Sequence, residues 1–164
     1  MPSVIRHIHP VSQPHGSNLC WVAVIAMITG RHGSSVLEDI IAEARARQVP
    51  MDSANRLDET NGVPALARAF GLSHHRCPRD EILAGSELST RLTRGPLGLF
   101  GTLRAPPSGT TPRHAVAIHG VTGDFASASS CTALGADPRG FSAINMSFFQ
   151  LQTQFTIEWI VWRA

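Results

Sequence analysis

The sequence predicts an α+β fold: helices over about residues 17–95, then a strand-rich, antiparallel part over about 96–164, in a single domain spanning 1–164. Three observations carry this. The run CWVAVIAMITG is apolar on nearly every side, as in a helix buried inside a protein. The segments SSVLEDIIAEARARQ and TNGVPALARAFGL have helical periodicity and plausible ends. From Pro96 onward, short alternating runs are separated by Gly, Pro, Ser and Asp.

Taken in order, residues 1–17 are punctuated by Pro and His and read as extended or looped. Ser17 and Asn18 are N-cap residue types ahead of a helix from about Leu19 to Thr29, which Gly30 stops. A second helix is capped by Ser34 or Ser35. Its first turn carries Glu38 and Asp39 and its end Arg45 and Arg47, matching the helix dipole. A third helix is entered through Asn61-Gly62 and closed by Gly71, with His74-His75 as surface residues after its end. DEILAGSELSTRLTRG adds one or two helical turns. PLGLFGTLRA, RHAVAIHGVTG, TALGADPRG and FTIEWIVWRA read as strands, with a surface loop over Arg104–Arg113 and a small-residue hairpin connection in GDFASASSCT.

Composition removes several kinds of function. All 14 basic residues are Arg, so Schiff-base chemistry on lysine is excluded, and the absence of Tyr excludes a tyrosine acid or base. The formal charge is only +2 and the arginines are scattered, which argues against nucleic acid as a partner. Three cysteines, Cys20, Cys77 and Cys131, cannot all pair, and none lies in a CxxC or a Cys/His cluster of zinc spacing. MPSVIRHIHP has no apolar signal core, and the apolar run is too short to span a bilayer. The expectation is synthesis in the cytoplasm, no membrane partner, and any export by a route that needs no leader.

Cys20 has two readings: a small core residue, or a nucleophile whose thiolate is favoured by the positive end of a helix. The second needs a base. His7, His9, His15, His32, His74 and His75 lie in polar sequence and read as solvated. His114 heads the strand HAVAIHGV, sharing a face with Val116 and Ile118, while Ala115, Ala117 and His119 face the other way. Asp137 ends a later short strand, and before Pro138 it reads either as a turn residue or as the carboxylate that orients an imidazole. Gln13 offers an amide donor upstream of the cysteine, to join the Cys20 backbone N–H in an oxyanion hole.

These segments resemble papain-like cysteine proteases. QPHGSNLCWVAVIAMITG is similar to their glutamine and Cys-Trp helix, HAVAIHGVTGD to their histidine strand, LGADPRG to their Asp-Pro strand, and INMSFFQLQTQF to their closing aromatic segment. The likeness runs from about residue 8 to 160 and is nearest to compact bacterial effector peptidases of the AvrRpt2 type. A more distant peptidase family shares the His and Asp-Pro pattern but carries Asp-Cys-Gly at its nucleophile. The resemblance implies a papain-like fold with Cys20 as nucleophile, His114 as general base and acid, Asp137 as orienter and Gln13 as oxyanion donor. Gln13 stands seven positions before Cys20 where the family has six, so Gly16 is expected to absorb one extra residue.

The implied activity is a cysteine peptidase working by acyl transfer, with no metal and no organic cofactor, in a bacterial secreted effector or toxin that cleaves a target-cell protein. The same triad serves a peptidoglycan amidase acting on stem peptides, or a deamidase or transglutaminase. The implied partners are a protein or peptide substrate and, for a toxin, a cognate inhibitor or immunity protein. The competing class is a non-catalytic binding module on a papain-like frame.

Overall fold

A computed structural model describes residues 1–106, 112–140 and 142–164. In chain order its elements are β1 (Ser3–Ile5), α1 (Cys20–Thr29), α2 (Val36–Ala46), α3 (Gly62–Ala69), β2 (Leu72–Arg76), α4 (Gly85–Leu92), β3 (Leu97–Leu103), β4 (Arg113–Gly123), β5 (Cys131–Asp137), β6 (Ser142–Ser147), α5 (Phe148–Gln154) and β7 (Phe155–Arg163). Helices and one antiparallel sheet make the expected α+β class. The strand order is β2-β7-β3-β4-β5-β6, with β1 paired to β4 beyond the stretch that β3 occupies.

The sheet separates two apolar layers. Alternation along β4 sends Ala115 and Ala117 to the side of α1, α2 and α3, and Val116 and Ile118 to the side of α4 and α5. Residues Trp21 to Ile28 of α1 are all buried, which is why the helix needs no polar face. Each large side chain among them contributes roughly 1.5–3 kcal/mol of burial before entropy is counted. Small residues let the helix lie close to the sheet. A Cβ on Gly98 of β3 would stand 2.8 Å from a Val24 methyl, and Ala115 and Ala117 complete the shallow floor. Gly30 ends α1 at φ 73°, and Arg163 of β7 donates to the Ile28 carbonyl at 2.8 Å, placing a cation at the helix C-terminus.

Several local expectations are corrected. The N-terminal half contains β1 and β2, so His74 and His75 lie on a strand at the sheet edge rather than after a helix end. The second half contains a helix, α5, closed by a reciprocal Ser147–Gln150 capping box, and the additional strand β6. Leu19 is the N-cap of α1 in place of Ser17 or Asn18, although the Ser17 hydroxyl accepts the Leu19 N–H at 3.4 Å. Ser35 stands at the α2 N-cap, but its hydroxyl bonds Asp39 rather than the backbone. The centre of the expected Arg104–Arg113 loop, 107–111, lies outside the described residues.

One bulge shapes the end of the sheet that carries His114. Phe100 pairs with Trp159 but Gly101 pairs with Ile157, so Glu158 is the extra residue in β7. Gly101 is also the partner of His114 on β4. A Cβ there would stand 1.9 Å from the Thr156 carbonyl oxygen, a clash with backbone that cannot rotate away. Gly101→Ala is expected to destabilise the protein by about 3 kcal/mol, the top of the usual range for overpacking. Urea unfolding measures this, and an unchanged midpoint would show that the bulge is not rigid.

Candidate active site

The four predicted site residues reach one cavity from separate parts of the chain. Cys20 opens α1, Gln13 lies in the segment before it, His114 is the second residue of β4, and Asp137 ends β5. All four line a cavity of about 1470 Å³.

The firmest contact is between His114 and Asp137. Ala117 pairs with Ala136, so Asp137, one step further along, falls on the same face as His114, two strands' side chains meeting diagonally. His114 Nε2 lies 2.9 Å from Asp137 Oδ1, with the imidazole almost wholly buried. Burial works against the Asp137 charge, but hydrogen bonds from His114 and Arg139 outweigh it and hold the carboxyl at about 2. The carboxylate is therefore ionised at neutral pH and accepts, which makes Nε2 the protonated ring nitrogen and leaves Nδ1 as the basic one. Phe155 packs edge-on against the ring, with centroids 6.4 Å apart.

Asp137 both closes a turn and hydrogen-bonds the imidazole. Its Oδ1 also accepts the Arg139 backbone N–H at 2.9 Å, closing an Asx turn across Pro138. The Arg139 guanidinium then reaches back, with NH2 3.0 Å from Oδ2. Arg139 drew no notice in the sequence, where the D-x-R spacing was its only signal.

Cys20 meets the sheet at the backbone of Ala115, the residue after His114. Burial pushes its thiol up to about 11, against the opposing pull of hydrogen bonds from the Ala115 and Trp21 backbone. The negative charge of Asp137 raises it further and Arg139 lowers it. The modest lowering expected from the helix start does not prevail. A helix terminus contributes ~0.3–1 kcal/mol when exposed and up to ~2 when partly buried, and here desolvation of the sulfur is the larger effect. A lone thiolate is disfavoured at this position.

The segment between Gln13 and Cys20 contains a tight turn. The Ser17 N–H donates to the Pro14 carbonyl at 3.1 Å, and Gly16 takes φ 71°, open to glycine without strain. Gln13 is anchored twice: its backbone N–H donates to the Pro138 carbonyl at 2.9 Å, and Nε2 donates to the Ser17 carbonyl at 2.8 Å. The second contact fixes the amide, because a flip would set Oε1 against another acceptor. Nε2 also reaches the Ser17 hydroxyl at 3.5 Å, and the buried Oε1 has no hydrogen-bond partner among the described residues.

A wall that sequence reasoning missed lies across the cavity. Residues 51–57 form a loop closed by a Met51–Leu57 bridge, and Asp52, Arg56, Asp58 and Glu59 line the cavity from it and from the turn ahead of α3. Trp21 holds this loop by donating Nε1–H to the Asn55 carbonyl at 2.8 Å, with Asn55 at φ 62°. The residue after the cysteine is thus a brace for the opposite wall as well as a packing residue.

Cys77 and Cys131 are buried free thiols that do not line this cavity. Among the described residues, no group of three or more His, Cys, Asp or Glu side chains is placed to hold a metal ion, and no helix is long and apolar enough to cross a membrane.

The Asp137 carboxyl gives a pH test of the site's wiring. Its folded pKa is depressed to about 2 from an ordinary value near ~3.9, so its stabilisation is present above ~3.9 and is lost as pH falls through about 2. The loss amounts to ~2 kcal/mol. Asp137→Asn is expected to be less stable at neutral pH and to show a flatter stability profile between pH ~4 and ~2. Parallel acid-side profiles for the two proteins would mean that the carboxylate carries no such load.

No protein-family model matches the chain, and no curated protein matches it significantly in sequence.

Proposed function

We propose that the chain is a papain-like cysteine peptidase that cleaves an amide bond by acyl transfer through Cys20, His114 and Asp137. The observation that carries this reading is the buried His114–Asp137 pair in a cavity shared with a cysteine at the start of a rigid, buried helix. In the sequence described, Cys20 Sγ passes its proton to His114 Nδ1 and attacks the substrate carbonyl, forming a C–S bond. The carbonyl oxygen, now an anion, takes hydrogen bonds from Gln13 Nε2, in place of its long contact to the Ser17 hydroxyl, and from the Cys20 backbone N–H. His114 returns its proton to the leaving amine as the C–N bond breaks. Water then attacks the thioester with His114 as base, releasing a carboxylic acid and restoring the Cys20 thiol. Asp137 keeps the ring oriented and balances the imidazolium charge.

The size of the cavity supports a chain-like substrate, since pockets for small ligands occupy ~300–1,000 Å³. A target-cell protein as that substrate, and a role as effector or toxin, rest on the resemblance of the Cys-Trp helix and the His and Asp-Pro strands to bacterial effector peptidases.

The test is to incubate the protein with a proteome-derived peptide library and with peptidoglycan fragments, reading new termini by mass spectrometry. New termini with wild type, and none with Cys20→Ala or His114→Ala, are expected. Cleavage that survives Cys20→Ala would overturn the mechanism. With any substrate found, Gln13→Ala is expected to lower kcat by about 10²–10³-fold, as for loss of one oxyanion donor. An unchanged kcat would remove Gln13 from the oxyanion hole.

A further inference from the structure

Asp137 has a second side-chain partner, the cation Arg139. Four contacts fall on its carboxylate: His114 Nε2 at 2.9 Å, the Arg139 backbone N–H at 2.9 Å and Nε at 3.4 Å on Oδ1, and Arg139 NH2 at 3.0 Å on Oδ2. Three of the four come from Arg139. The guanidinium is therefore built into the triad from behind, with 36% of its side chain exposed on the cavity wall. We propose that Arg139 is a positioning residue that locks the Asp137 carboxylate toward His114 and sets the acid limit of the Cys20–His114 ion pair. The inference rests on the peptidase reading and adds to it the residue that tunes the triad.

The reasoning is electrostatic and geometric. A carboxylate rotates about its Cα–Cβ and Cβ–Cγ bonds, and a fork holding both oxygens removes that freedom, so Oδ1 stays on the imidazole. The same cation partly neutralises Asp137, whose unshared charge would oppose a thiolate nearby. Arg139 thus makes the Cys20 thiolate easier to form, the direction in which it acts on the thiol. Other charges on the cavity wall are engaged with different groups. Asp52 pairs with Arg56, Arg113 with Glu158, and Asp58 accepts the Thr60 and Asn61 N–H groups. His15 and Glu59 are exposed to solvent, where screening weakens them. Arg139 is the cation that grips the triad carboxylate directly.

Two readouts on Arg139→Gln and Arg139→Lys test this, with melting curves to establish that each variant is folded. The first is the titration of the Asp137 carboxyl by carbon NMR. In Arg139→Gln it is expected to rise from about 2 by ~1 unit or more, and in Arg139→Lys by less. The second is the pH dependence of Cys20 alkylation by iodoacetamide. Its acid midpoint is expected to move up in Arg139→Gln by about half a unit to one unit, with Arg139→Lys between it and wild type. Wild-type labelling at low pH that is unmoved in a folded Arg139→Gln overturns the inference alone. Wild-type labelling that rises only in the alkaline range overturns both the inference and the peptidase reading.

Discussion

The burial of α1 is the constraint on which the rest of the structure depends. Its eight central residues have no polar face, so the helix has to be enclosed between the sheet and α2 and α3. Enclosure requires small residues opposite it, and Gly98, Ala115 and Ala117 provide them. Arg163 grips its C-terminal end from the last strand, and Trp21 ties its first turn to the 51–57 loop. A helix held at both ends fixes Cys20 in space, and the backbone of Ala115 and Trp21 adds hydrogen bonds to its sulfur.

That rigidity has an electrostatic consequence. Placing the sulfur against β4 takes it out of water, and a lone thiolate there forms only near pH 11. The helix start and two backbone N–H groups reduce the penalty without removing it. A nucleophile at this position has to be generated by proton transfer to a neighbour, with the resulting cation left beside the anion. On the peptidase reading we propose, the buried His114, hydrogen-bonded to Asp137, receives the proton. Arg139 and the Gln13–Pro138 bond then link the three segments of the site through one turn, residues 137–139.

Much of this was legible in the sequence where a side chain's neighbours are local. The helix α1 with its Gly30 stop and the alternation along β4 follow from periodicity and an end-of-helix glycine. Other parts were hidden because the information is not local. β2 reads LSHHR, with no apolar alternation, because only one strand lies beside it and its polar residues face solvent or Trp159. The 51–57 wall depends on a hydrogen bond from Trp21, which no spacing announces. The α5 helix was announced, by Ser147 and Gln150 three apart, and the aromatic residues around it drew attention away. The Cys20 pKa could not be read from helix position, since burial of the sulfur is a property of packing.

The central claim is that Cys20 carries a thiolate at neutral pH only because His114 holds its proton. The most direct measurement is the far-ultraviolet thiolate absorbance of the protein across pH, taken as the difference from Cys20→Ser and repeated in His114→Ala. The account predicts a thiolate signal already present at neutral pH in the wild type, and in His114→Ala a signal that appears only as pH approaches 11. A wild-type signal that rises at the same alkaline pH as the mutant would contradict it, and would leave Cys20 as an unactivated thiol.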